Sequence, residues 1–255
     1  MQFSERAFII DQTTISPTFS YPRISNIRLP MTTSDTNNRQ FSSADSQQLA
    51  QIMAARRDVR GNRFLSDPLD PKDIEQIFAA ALMAPSVGFS QPWEFITVTQ
   101  PEKRVEISES FFVENEKAKA LFKAGKFEAG KLEQYQQLKL EGIIESPLNI
   151  AVFYNPQKGP VLGQTSMPDM GRYSVVCAVQ NMWLCARALN IGMGWVSILD
   201  PNTVKKILKA PDDRELIAYL CLGKVDKFYD QPELETLQWQ TRKQAEQVIF
   251  SEHYE

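Results

Sequence analysis

The chain contains a single histidine, His253, close to its end. Serine and cysteine triads use an imidazole as general base, and most catalytic zinc sites use several as ligands, so both classes drop out and no metal is expected. There are only three cysteines, Cys177, Cys185 and Cys221, and none forms a C-x-x-C pair. They read as reduced, core-filling thiols of a cytoplasmic protein. No G-x-G-x-x-G follows a strand-like run, which removes the dinucleotide fingerprint. Charge of one sign is also missing: 28 basic against 31 acidic residues give no general attraction to nucleic acid or to an anionic membrane, so any anion site is local. The most apolar long stretch, Val175 to Leu199, is broken by Gln180, Asn181, Arg187 and Asn190 and is too polar to span a bilayer. Residues 1–45 are rich in Ser, Thr, Asn and Gln and hold no apolar run of signal-peptide length, so a disordered extension is expected there. Met31 is an alternative start. An organellar transit peptide is the other reading, opposed by the acidic Glu5, Asp11 and Asp35.

What is present is a chain of 255 residues, 43% hydrophobic, enough for one large domain over residues 46–255. Leu49, Ile52 and Met53 repeat at helical spacing ahead of Arg56. Asp70-Pro71-Lys72-Asp73 supplies a cap, a proline at the first helical position and an acidic first turn, with Ile74, Ile77, Phe78, Ala81 and Leu82 on one face behind it. That helix ends by Pro85-Ser86. Trp93 to Thr99, Asn149 to Tyr154, Trp195 to Leu199 and Leu216 to Leu222 read as strands. A charged stretch, residues 102–145, reads as exposed helices forming a lid. Tyr173 to Leu189 is a helix apolar on every side, buried centrally or against a second subunit. Asp200-Pro201 caps a short helix, Val204 to Leu208, and a tail runs on from Phe228. The order of elements predicts a layered α+β domain.

Three stretches could carry chemistry. RRDVRGN, Arg56 to Asn62, sets three arginines around Asp58 at a helix end. Guanidinium forks match a phosphate through paired hydrogen bonds, and a solvated basic turn is the plainer alternative. APSVGFSQPW, Ala84 to Trp93, is a helix-to-strand turn with Gly88. GMGWVSILDP, Gly192 to Pro201, has two glycines that permit close backbone approach and a serine, Ser197, that can donate and accept.

Together these stretches resemble the flavin-dependent nitroreductase family. With MPDMGRYSVVCAVQNMWL they are similar to its branch of 5,6-dimethylbenzimidazole synthases, over about Leu49 to Arg242; Asp58 stands where an ordinary nitroreductase commonly has serine. The resemblance implies a nitroreductase-like layered fold, a central mixed or antiparallel sheet flanked by helices, and a homodimer with FMN at the interface. It implies that Arg56, Arg57 and Arg60, with Val59, Ser86, Gln91 and Gly194, contact the flavin or its phosphate, Ser86 and Gln91 from the same or the partner chain. Asp58 then matches a catalytic aspartate, and Ser197 a serine near the flavin N5. Arg242 matches a tail arginine, although Lys243-Gln244-Ala245 departs from the family's continuation. Reduced FMN and O2 would be consumed, the flavin being reduced by a separate reductase. An NAD(P)H-dependent nitroreductase or quinone reductase, and a non-catalytic flavin-binding protein, are the alternatives. The second would be indifferent to Asp58 and Ser197.

Overall fold

LNIAVFY, the strand β2 (Leu148–Tyr154), is buried at all of its positions. A strand without a polar face must lie inside a sheet covered on both sides. In the computed structural model, which describes residues 17–19, 21, 27, 40–125 and 130–254, β2 lies between β1 (Trp93–Val98) and β4 (Glu215–Gly223), and β3 (Gly192–Val196) closes the order β1-β2-β4-β3. Every pairing is antiparallel, with Phe95 opposite Val152, Ile150 opposite Leu220 and Trp195 opposite Leu220.

Helices cover both faces. On one, Ile150, Val152, Leu220 and Leu222 pack with Ile74, Ile77 and Phe78 of α2 (Pro71–Leu82) and with Val175, Ala178, Val179 and Met182 of α5 (Met170–Ala188). Asp70 caps α2 as its sequence predicts, its carboxylate accepting from Lys72 N at 2.9 Å. On the other face, Ala151, Phe153, Tyr219 and Cys221 meet Ile107 and Phe111 of α3 (Pro101–Lys123) and Val204 of α6 (Pro201–Leu208). The buried Cys221 thiol is pushed up to about 12 by burial, so it stays protonated and inert. Of the charged 102–145 stretch, the first half of α3 is thus part of the core; α4 (Lys131–Gln137) follows. Buried Arg104 donates to Ile144 O at 3.1 Å and Ser146 O at 2.6 Å, pinning the end of that stretch. A short α7 (Glu233–Thr236) lies in the tail. Among the described residues no helix is long and apolar enough to cross a membrane.

Two expectations meet detail here. α5 is not buried all round: Gly171, Val175, Ala178, Met182 and Ala186 face the core, while Tyr173 and Val176 are exposed. Within the amino-terminal extension, Tyr21 and Ile27 lie against the core, and the Tyr21 hydroxyl accepts from Leu69 N at 3.2 Å. Most of the rest of residues 1–45 is outside the described residues.

One strand is displaced from its predicted place. The sequence predicts Trp195 to Leu199, but β3 runs Gly192–Val196 and leaves Ser197 exposed just beyond it. Both glycines, read from the sequence as allowing close backbone approach, lie inside the strand. β3 is an edge strand, so one row of its backbone groups has no sheet partner. The segment from Asp58 to Arg60 fills that place: Asp58 forms a parallel bridge with Met193, and Val59 N donates to Met193 O at 3.1 Å. A Cβ on Gly194 would overlap the Val59 carbonyl oxygen, and one on Gly192 would meet the Val59 and Val225 side chains. Gly194→Ala should therefore separate the two segments and cost about 3 kcal/mol, since backbone, not a side-chain end, would have to move. Urea denaturation checks this; unchanged stability would refute the packing argument.

Candidate active site

The arginines enter the site from a helix end. α1 (Ser43–Ala55) stops at Arg56, which turns extended, and the last carbonyls of a helix need donors from elsewhere. Side chains supply them. Arg57 Nη1 donates to Ala54 O at 2.6 Å and Arg56 O at 2.7 Å, Arg187 Nε to Ala55 O at 3.0 Å, and Trp183 Nε1 to Arg57 O at 3.2 Å. Arg57 Nη2 also donates to Asp230 O in the tail. The guanidinium of Arg57 is thus occupied with closing α1 and holding the tail. None of these contacts could be read from RRDVR, because the Asp230 carbonyl lies far along the chain; Arg57 still lines the cavity of the site. Arg56 behaves differently. Its guanidinium lies 4.7 Å over the Trp183 ring and has no hydrogen-bond acceptor among the described residues; burial lowers its pKa.

Asp58 and Arg60 face the free edge of β3 together. Trp195 N donates to Asp58 Oδ1 at 3.1 Å, Arg60 Nη1 donates to Trp195 O at 3.1 Å, and the two side chains form an ion pair. The Asp58 carboxylate keeps 37% of its side-chain surface exposed. Even so, the surrounding protein removes enough water to raise its pKa above the ordinary value, against the pull of Arg60, the Trp195 N–H and Arg56; the negative charge of Glu233 adds to the rise.

Arg56, Arg57, Asp58 and Arg60 line one cavity of about 150 Å³ with Leu138, Lys139, Leu140, Tyr229, Pro232, Glu233 and Leu234. The last seven escaped the sequence reading. They come from the end of the 102–145 stretch and from the tail, and nothing local in either marks them. Lys139 is a fourth cation, paired with Glu141 and, at 2.9 Å, with Glu145. Burial works against its charge, but these two carboxylates outweigh it and hold its pKa up. Gly61 N donates to Glu141 O at 2.8 Å, so the arginine turn and this wall are tied together.

The other predicted residues lie elsewhere. Val59 and Gly194 are buried in the backbone contact described above. Ser86 accepts from Gln91 N at 3.1 Å, closing the turn around Gly88; Gln91 is exposed, and neither lines the cavity. Ser197 is exposed two residues past Trp195, and Arg242 is exposed in the tail; neither lines the cavity.

A layered α+β fold with arginines and a carboxylate at the edge of an antiparallel sheet agrees with what comparison shows. Residues 53–224, about two thirds of the chain, match the model of the nitroreductase family, and the chain belongs to that family. Within it, the chain is 44% identical over 190 residues to the 5,6-dimethylbenzimidazole synthase of Rhodospirillum rubrum, covering 74% of this chain and 87% of the relative. It is 40% identical over 195 residues to the 5,6-dimethylbenzimidazole synthase of Rhodobacter capsulatus, covering 75% and 90%. Among solved structures, iodotyrosine deiodinase bound to FMN and 3-iodo-L-tyrosine superposes with a TM-score of 0.60 at 21% identity, over 81% of this chain and 99% of that one.

The raised pKa of Asp58 has a consequence for stability. A carboxylate whose folded pKa lies above its unfolded one contributes stability that is complete below the unfolded value and lost as pH rises through the folded one. Asp58→Asn escapes that loss. Its melting temperature relative to the wild type should therefore rise between pH 4 and pH 7.5, as thermal scans at both pH values can show; a relative fall would mean that the Arg60 ion pair outweighs burial.

Proposed function

We propose that the chain is a 5,6-dimethylbenzimidazole synthase: it takes reduced FMN and oxygen and yields dimethylbenzimidazole, the lower ligand of cobalamin, with erythrose 4-phosphate. The observation that carries this reading is Asp58, a carboxylate with a raised pKa among cations, in a chain whose one histidine, His253, is in the exposed tail. Its named relatives support the same assignment. Bound flavin supplies a ring system that reacts with oxygen. Making a new aromatic ring from it requires protons to leave carbon, and a carboxylate within reach can accept them, whereas a serine hydroxyl is too weak a base.

The residues fit a flavin phosphate. Arg56 offers an open guanidinium fork, while Arg60 stays on Asp58 and Trp195 and Lys139 on Glu141 and Glu145. A cavity of about 150 Å³ is below the roughly 300–1,000 Å³ usual for such ligands, so one chain holds only part of the site. A second copy completes it in this proposal. α1 has no buried residue although Leu49 and Met53 lie on it, and Tyr173 and Val176 of α5 are exposed; a two-fold contact over these faces would cover them and bring in Ser86 and Gln91 from the partner. Ser197, beyond the end of β3, would then approach the reacting part of the flavin. Leu138 to Leu140 and the tail form the cover, and a separate cytoplasmic reductase supplies FMNH2.

Mixing the purified chain with chemically reduced FMN in air should give dimethylbenzimidazole, separated by chromatography. Intact flavin, together with NADPH-driven reduction of a nitroaromatic, would establish the nitroreductase alternative instead. Arg56→Ala should weaken FMN binding by roughly ten- to hundredfold, the loss of a charged hydrogen bond, and riboflavin binding far less. Equal loss for both ligands would remove the phosphate from Arg56. Light scattering should give twice the chain mass, and a monomer that binds flavin fully would refute the shared site.

A further inference from the structure

The cavity holds a second carboxylate that no motif announced. Glu233 begins the short α7 and lines the same cavity as Asp58. It does not hang free: the Tyr229 hydroxyl donates to Glu233 Oε1 at 3.3 Å, and Arg63 Nη2 donates to the Tyr229 oxygen at 2.6 Å, its guanidinium lying 4.4 Å over the Tyr229 ring. Arg63 is fixed in turn by Asp226 at 2.9 Å. Three side chains therefore hold one acid at the cavity wall. A purely structural acid in the first turn of a helix needs none of them, and Glu235, on the same helix, has no part in the cavity.

Asp58 lines the cavity with 37% of its side-chain surface exposed, so a ligand seated there would stand between this carboxylate and bulk water. Arg56 and Arg60 flank it in its own segment, the Trp195 N–H holds one oxygen, and Arg57, Lys139, Tyr229 and Glu233 share its cavity. The arginines and Lys139 are protonated and cannot accept a proton. Among these groups only Glu233 is a carboxylate able to take one.

Resting on the synthase reading, we infer that Glu233 is the proton-exchange partner of Asp58, positioned by Tyr229 and Arg63. Asp58 takes a proton from carbon, the Asp58 carboxylic acid passes it to the Glu233 carboxylate, and Glu233 releases it to water. No other bond changes, and both carboxylates are restored. With two carboxylates on one cavity wall, acceptance of a proton from carbon and its release to water fall on different groups.

The test combines two readouts on the full-length chain. In the ligand-free protein, the infrared carboxylic-acid band that disappears in Asp58→Asn reports the titration of Asp58. In Glu233→Gln that titration should move down by about half a pH unit, because a nearby negative charge is gone. In turnover, the rising limb of the pH profile should move the same way, with product formation falling roughly tenfold, a modest share of a proton-transfer contribution. Glu233→Asp should restore most of the rate, and Glu235→Gln should change neither readout. An unmoved Asp58 band would overturn the coupling. A moved band with product formed at the wild-type rate would overturn the relay and leave only electrostatics. If the wild type makes no dimethylbenzimidazole, the synthase reading fails, and the infrared titration still decides whether the two carboxylates are coupled.

Discussion

The structure depends on how the free edge of β3 is closed. An edge strand must find partners for one row of N–H and C=O groups, and here Asp58, Val59 and Arg60 supply them. Val59 does so with its backbone. Asp58 and Arg60 do so with side chains, the carboxylate taking the Trp195 N–H and the guanidinium taking the Trp195 carbonyl. Only glycine at 194 lets the segment come this near. The same contact that finishes the sheet fixes a carboxylate at the cavity wall, so stability and chemistry share one set of atoms.

That economy has an electrostatic cost. Burial raises the Asp58 pKa, and Arg60 and Arg56 offset only part of the rise. The cations do not neutralise the cavity by number, because most are already engaged. Arg57 serves three carbonyls, Arg60 serves Asp58 and Trp195, and Lys139 serves Glu141 and Glu145. Arg56 is left as the open fork. A site described only as rich in arginine would miss this division, and with it the difference between residues that hold the protein and residues that can hold a ligand.

Much of the fold was legible because its causes are local. The Asp70-Pro71 start of α2, the aromatic and β-branched run of β1 and the Asp200-Pro201 start of α6 each depend on a few adjacent residues. The close backbone approach that Gly192 and Gly194 permit was legible too, but not that the approaching segment is Asp58 to Arg60, and β3 was placed three residues too late. In the site, RRDVR could be seen because it is contiguous. Lys139 and Glu233 could not, since the cavity joins them to Asp58 across 81 and 175 positions of sequence. The role of Arg57 was hidden for the same reason, through the Asp230 carbonyl.

The central claim is that the Asp58 carboxylate acts on the ligand beyond closing the sheet edge. Asparagine keeps the shape and can still accept from Trp195 N, so it separates the two roles. The measurement is dimethylbenzimidazole formed per FMNH2 consumed, in Asp58→Asn against wild type, with FMN affinity determined alongside. The account predicts retained affinity, continued oxidation of the reduced flavin by oxygen, and a product ratio near zero. A variant that makes dimethylbenzimidazole at the wild-type ratio would contradict it, leaving Asp58 as a fastener of β3 alone.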